Sequence, residues 1–267
     1  MRRQATTAMA SSNSINHDLA VALSPVVFAR SLSIEPDPWQ SEVLRTDSKR
    51  IILNCARQTG KSSIVAILAL HHALYQDKSM VLIISHTLQQ AAETFRKCRD
   101  YYRQIAQPVL SITESVHRLE LQNGSRIVTL TGQRPESIRG FSNVSLLIID
   151  EAAQVPDESY HAARPMVAVS DGRVILLSTP LGRRGFFWDT WANKADWLKI
   201  EINADQCPRF TQAFLREEKQ TLPDWFFRQE YFNFFAEVVS SVFRLEDIEA
   251  AFNHPELPVL DIDLSLD

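Results

Sequence analysis

Only three cysteines occur in 267 residues. Their odd number and lack of metal spacing point away from a disulfide framework or zinc site and fit a reducing compartment. No apolar run approaches the roughly 20 residues needed to cross a bilayer, so no membrane partner is expected. The start, Met1-Arg2-Arg3, runs into Thr, Ala and Ser rather than an apolar stretch, which argues against a secretory leader. Positive charge is not in excess: 28 Lys and Arg face 32 Asp and Glu, a formal net charge of −4. Any nucleic-acid contact must then come from a local patch rather than from bulk charge. Internal repeats and coiled-coil heptads are missing too. What is present, 45% hydrophobic and 22% charged residues, is the composition of a globular chain with one large core.

The most telling stretch is residues 55–62, Cys-Ala-Arg-Gln-Thr-Gly-Lys-Ser. Gly60-Lys61-Ser62 is the working end of a phosphate-binding loop. The apolar run Ile51-Ile52-Leu53 precedes it and a helix-like run from Ser63 to Tyr75 follows. Such a loop turns successive backbone N–H groups toward one point, and the helix N-terminus adds its dipole. Lys61 is expected on the β- and γ-phosphates, and the Ser62 hydroxyl on Mg²⁺. Two features depart from the general pattern: Cys55 stands where glycine opens the loop, and Arg57-Gln58 replace small residues.

A second motif supplies acids. Ser145-Leu-Leu-Ile-Ile-Asp150-Glu151 is a continuous apolar run ending in two carboxylates, the pattern of a strand buried on both faces of a parallel sheet. Carboxylates there are costly unless they serve a cation or a reaction. Asp150 is expected to hold the magnesium shell, and Glu151 to orient and deprotonate the attacking water. The plainer alternative is a helix cap at Asp150 and a solvated Glu151.

The pattern as a whole predicts an α/β P-loop NTPase fold of the RecA-like kind, a central, mostly parallel sheet flanked by helices. Further buried strands are expected at Met80–Ser85 and Val174–Ser178, and a hairpin at Arg118–Leu121 and Arg126–Leu130 around Asn123-Gly124. Helices are expected over Leu19–Leu32, Leu88–Ile105, Asp157–Val167, Thr211–Gln220, Asp224–Phe235 and Leu245–Phe252. The domain reading is a disordered stretch over residues 1–20, the P-loop core over 21–205, and a small helical lid or linker over 206–257. Arg96, Arg99 and Arg103 share one helix face, and Arg183-Arg184 follow Gly182; both are candidate phosphate contacts for DNA. The clusters Phe186-Phe187-Trp188 and Trp225-Phe226-Phe227 read as core.

Several separated motifs together resemble one family, the ATPase domain of the large terminase subunit of tailed bacteriophages, including its prophage forms. They are Pro38-Trp39-Gln40, Ala56–Ser62, Ser137-Ile138-Arg139-Gly140-Phe141, Ile149-Asp150-Glu151-Ala152-Ala153, Leu177–Gly182, Gly185-Phe186-Phe187 and Arg228-Gln229-Glu230-Tyr231. The resemblance implies an Mg²⁺-dependent ATPase that drives double-stranded DNA into a capsid. Its partners would be the portal protein and the small terminase subunit, and it would work as a homo-oligomeric ring in the cytoplasm of the bacterial host. Gln40, Arg57, Gln58, Thr59, Gly60, Lys61 and Ser62 would bind ATP, with Ser62 and Asp150 on the metal. Glu151, Arg57 and Lys61 would be catalytic, with Arg57 stabilising or sensing the γ-phosphate, and Gln40 would read the adenine. Plainer readings are a loop glutamine beside a core tryptophan and a surface arginine paired with an acid. Ser178 and Thr179 would couple hydrolysis to motion, with strand-end turn chemistry as their alternative. Arg139 or Arg134 would act in trans on a neighbour.

Full-length members carry a second, RNase H-like nuclease domain. Residues 258–267 read as its start or remnant, with Asp261 or Asp263 as a first acid, and no nuclease activity is expected from this chain. Two rivals stay open: a helicase-like nucleic-acid-dependent ATPase, and a nucleotide-binding paralogue without turnover.

Overall fold

Alternation along each buried strand sorts its side chains between two helical layers. In the computed structural model, which describes residues 15–237, the strands are β1 (Arg50–Cys55), β2 (Met80–Ser85), β3 (Ser111–Glu114), β4 (Arg118–Leu121), β5 (Arg126–Thr131), β6 (Leu146–Asp150), β7 (Arg173–Ser178) and β8 (Leu198–Ile202). They form one eight-stranded sheet in the order β3-β4-β5-β2-β6-β7-β1-β8. From β5 to β8 all pairings are parallel; β3 and β4 extend one edge as an antiparallel meander. Ile51, Leu53, Ile83, Ile148 and Ile175 face one layer, while Ile52, Leu82, Leu147, Ile149 and Leu176 face the other. That period of two, with both faces apolar, is what a doubly covered parallel sheet requires.

The first layer holds α1 (residues 15–23), α2 (Pro25–Ser31), α3 (Pro38–Arg45), α4 (Lys61–Tyr75) and α5 (Leu88–Gln104). The second holds α6 (Pro135–Ile138), α7 (Asp157–Ala168) and α8 (Gly185–Ala192). Phe186 and Phe187 are buried in it, as the core reading of that cluster expects. In the other cluster Phe227 is buried, but Trp225 is exposed. Two further helices, α9 (Gln212–Thr221) and α10 (Asp224–Phe232), pack beside the P-loop through Leu215 and Tyr231, with Phe210 just ahead of α9, against Ala56 and Ala204.

Several expectations are corrected at their edges. The chain is already helical over residues 15–20, where a disordered stretch was expected; residues 1–14 lie outside the described residues. The expected helix Leu19–Leu32 is two helices, because Pro25 has no N–H to continue the first and Ser24 Oγ accepts from Val27 N at 3.4 Å to start the second. α10 stops at Phe232 because Asn233 takes a left-handed conformation, φ 53°, which asparagine tolerates. The expected helix Leu245–Phe252 and the segment 258–267 lie outside the described residues. Edge strands β3 and β8 were not expected.

Candidate nucleotide site

The sheet order separates the P-loop strand from the acid strand by one strand, β7. The tips of β1, β7 and β6 therefore lie side by side, and each delivers one component. β1 ends at Cys55, fully buried, and burial pushes its thiol up to about 12, so it stays a neutral packing group. The loop then turns through Gln58 (φ 59°) and Gly60 (φ 88°) into α4. The backbone at 60 favours glycine. Its φ lies in the left-handed region, and a Cβ there would meet Gln40 Nε2 at 2.8 Å. No side chain caps the start of α4, and a helix N-terminus with its N–H groups uncapped suits an anion. Thr59 is buried, its hydroxyl donating to the Ala56 carbonyl at 2.9 Å, which braces the loop from within.

Lys61 reaches across the strand tips. Its Nζ lies 3.3 Å from Glu151 Oε1 and donates to Thr179 Oγ1 at 3.3 Å. The Lys61 side chain is only 8% exposed and that of Glu151 25%. Glu151 is left-handed, φ 52° and ψ 44°, a costly conformation for a residue with a Cβ and one that clusters at functional sites. Burial raises its carboxyl above the ordinary range and the adjacent Asp150 adds to this, while Lys61 and Arg57 pull it back. Asp150 is held from both sides: Thr94 Oγ1 of α5 donates to Oδ2 at 2.6 Å and the Glu151 N–H to Oδ1 at 3.0 Å.

The two hydroxyls at the tip of β7 bridge its neighbours. Thr179 Oγ1 donates to the Cys55 carbonyl at 3.2 Å while accepting from Lys61. Ser178 Oγ accepts from Ala153 N at 3.2 Å, just past the acids. So Thr179 touches the P-loop side and Ser178 the acid side.

A cleft of about 620 Å³ opens over these tips, walled by Gln40, Arg57, Gln58, Gly60, Lys61, Ser62 and Glu151. The structure thus gathers most of the expected site residues in one place. Gln40 is buried, with its amide engaged at both ends: Oε1 accepts from Asp37 N at 2.8 Å, and Nε2 donates to the Thr59 carbonyl at 3.3 Å. Arg57, its side chain 64% exposed, sets its Nε on the Glu230 carboxylate of α10. Arg139 lines a different cavity, about 790 Å³, with Phe141, His161 and Met166, and Arg134 precedes α6. Neither arginine lines the cleft of its own chain.

Sequence reasoning did not place several wall residues in the cleft, among them Gln90, Lys97, Tyr101 and Arg209. The first three recur at intervals of seven and four along α5, a helical spacing that could have found them. Arg209 carried no local signal. The arginines of the basic stripe on α5 have intramolecular partners: Arg96 pairs with Glu93 and Asp100, Arg103 with Glu114, and Arg99 donates to the Ser115 carbonyl. Arg96 finds its acids within the helix, at i−3 and i+4, whereas Arg103 finds Glu114 on β3.

A divalent cation is consistent with the donor set. Ser62 and Asp150 offer hard oxygens, and Asp150 is already oriented by two donors. Among the described residues no three His, Cys, Asp or Glu side chains converge into a cage.

Comparison with known proteins agrees with this geometry. Residues 52–254 match the family model described as terminase large subunit, T4likevirus-type, N-terminal. A large terminase subunit from Thermus virus P23-45 is 23% identical over 81% of this chain and 52% of its own length. The large terminase ATPase domain of Thermus phage P74-26 superposes with a TM-score of 0.70 at 23% identity, over 78% of this chain and 97% of that one. The large terminase of a thermophilic bacteriophage in complex with ADP gives a TM-score of 0.60 at 12% identity, over 82% and 53%. The chain spans about half the length of the curated relatives it matches. With the family model covering most of its residues, the chain belongs to the terminase large subunit family, T4likevirus-type, in its N-terminal part.

Proposed function

We propose that this chain is the ATP-hydrolysing motor part of a phage DNA-packaging terminase. The observation that carries the reading is the Lys61–Glu151 contact at the mouth of an uncapped helix. P-loop N–H groups and Lys61 would hold the phosphates. A triphosphate seated there competes with Glu151 for the ammonium, and so frees the carboxylate to take a proton from water. Its raised proton affinity suits that exchange. Ser62 and Asp150 would hold Mg²⁺, which neutralises phosphate charge when bound. The ADP complex of the thermophilic phage relative supports nucleotide as the ligand.

Movement would start at two junctions. Thr179 senses Lys61, and Ser178 holds the acid turn. Arg57 ties the loop to α10 through Glu230, whose carbonyl also accepts from Arg57 N at 3.4 Å. Exchange of Arg57 between Glu230 and the γ-phosphate would shift α9 and α10 against the sheet, and they would then act as the lid. Double-stranded DNA is the substrate moved, with portal protein, small terminase subunit and a homo-oligomeric ring in the host cytoplasm as the setting. Arg139 or Arg134 would serve the neighbour's cleft.

Phosphate release by the purified chain, with and without double-stranded DNA, tests this directly. Lys61→Ala and Glu151→Ala should each abolish it; turnover persisting in both variants would sink the assignment.

A further inference from the structure

One arginine in the cleft wall has no part in the chemistry above. Arg209 lies between β8 and α9, just past Cys207-Pro208. Its Nη2 donates to the Thr59 carbonyl at 2.6 Å and to Asp37 Oδ2 at 2.8 Å, and its Nε to the Gln58 carbonyl at 3.4 Å. A single guanidinium thus holds the carbonyls of two successive peptide units of the P-loop. Gln40 Nε2 adds a further donor to the Thr59 carbonyl at 3.3 Å.

The geometry of the peptide unit turns that contact into a statement about phosphate. In a trans peptide the N–H points opposite to the C=O. Holding the Gln58 carbonyl toward Arg209 sends the Thr59 N–H the other way, and holding the Thr59 carbonyl does the same for the Gly60 N–H. These N–H groups belong to the concavity in which such loops take up anions. The backbone needs the support, since Gln58 carries a Cβ at φ 59°, a conformation that persists only where its surroundings hold it. Asp37, the residue before α3, holds the same Nη2 that bonds the Thr59 carbonyl.

We propose that Arg209 is a positioning residue for the triphosphate. It acts through the loop backbone and not on the nucleotide, and it makes phosphate affinity depend on the segment that leads to the C-terminal helices. This rests on the nucleotide reading of the cleft.

The test is calorimetric titration of wild type, Arg209→Ala, Arg209→Gln and Arg209→Lys with ATP and with inorganic tripolyphosphate, alongside thermal melts. Arg209→Ala should weaken both ligands by the same factor, about tenfold for loss of charge-assisted bonds. KM for ATP should rise with kcat at saturation held. Arg209→Lys, a point charge without the fork, should recover only part. A loss confined to ATP, with tripolyphosphate unchanged, would mean contact with base or ribose and overturn the proposal. Weakening that merely tracks a fall in folded fraction overturns it too; if the alanine variant does not fold, the Gln and Lys variants carry the same comparison. Wild type that binds ATP as tightly as all three variants removes this inference alone. Wild type that binds neither ligand removes the nucleotide site, and the inference with it.

Discussion

Lys61 and Arg96 each sit within reach of a carboxylate, and the likeness ends there. Arg96 Nη2 lies 2.6 Å from Glu93 with both side chains more than half exposed, whereas a buried Lys61 Nζ lies 3.3 Å from a Glu151 that is only a quarter exposed. The shorter contact belongs to the region with less at stake. In water a pair of charges is screened and exchanges freely with solvent, so its geometry constrains little. Between the tips of β1, β7 and β6 the same charges interact through a medium of lower dielectric, and each change of partner is felt by the others. Burial, more than distance, separates charges that do chemistry from charges that keep a surface wet.

The largest expected effect lies in the buried region. Glu151→Gln keeps the shape and hydrogen-bonding reach but cannot accept a proton from water. Turnover should fall by about 10²- to 10⁴-fold while nucleotide binding stays within a few-fold, measured by phosphate release and calorimetry. If Arg103→Ala lost as much, the contrast between the two regions would collapse.

The pH dependence of Glu151 comes next. Its carboxyl is raised in the fold, chiefly by burial and then by Asp150. Below the raised value the residue is protonated and cannot act as base, so turnover should climb as pH rises through that value. Stability should run the other way. Over the window from the ordinary carboxylate range up to the raised value, the folded state holds a proton that the unfolded state has released, so folding weakens as pH increases. Melting curves of wild type and Glu151→Gln across that window check this: only the wild type should show the decline from this group. Opposite slopes of activity and stability are the signature; parallel slopes would point to a different group.

Thr94→Val removes the hydroxyl that donates to Asp150 Oδ2 at 2.6 Å. Loss of a buried bond to a carboxylate costs about 2 kcal/mol. Removing such an orienting partner behind a metal ligand weakens metal affinity by about tenfold or more. Titration of phosphate release against Mg²⁺ should therefore shift to higher concentration, with the maximum recovered at saturation.

How much of this was readable beforehand follows from where each signal lives. The central strands β1, β2, β6 and β7 were legible because a strand covered on both faces is largely apolar, and Gly60-Lys61-Ser62 and Asp150-Glu151 follow the C-terminal ends of two of them. β3, four residues with three of them exposed, offers no hydrophobic contrast. β8 did carry one: Leu-Lys-Ile-Glu-Ile alternates, and its burial follows that alternation at the sheet edge. Arg57 was legible as unusual but not as a partner of Glu230, since that pairing depends on where α10 packs. Arg209 meets residues 58 and 59 only because β8 pairs in parallel with β1, Cys55 beside Ile202, which returns the chain to the mouth of the P-loop. A contact made by sheet register and a loop has no trace in local sequence.

The smallest expected effect lies on the exposed face of α5. Arg96 is held by Glu93 and Asp100, and Arg103 by Glu114, so a DNA phosphate approaching this face must first displace an intramolecular acid. Arg96→Ala and Arg103→Ala should leave phosphate release unchanged and the melting temperature nearly so, with any shift vanishing at high salt. DNA binding should also be little affected, because a cation already neutralised releases few counterions when it meets a phosphate. A slope of log affinity against log salt that drops by about one unit in either variant would show that the acids yield to DNA. In that case the face would be part of the DNA track, with Glu93, Asp100 and Glu114 as its competing ligands.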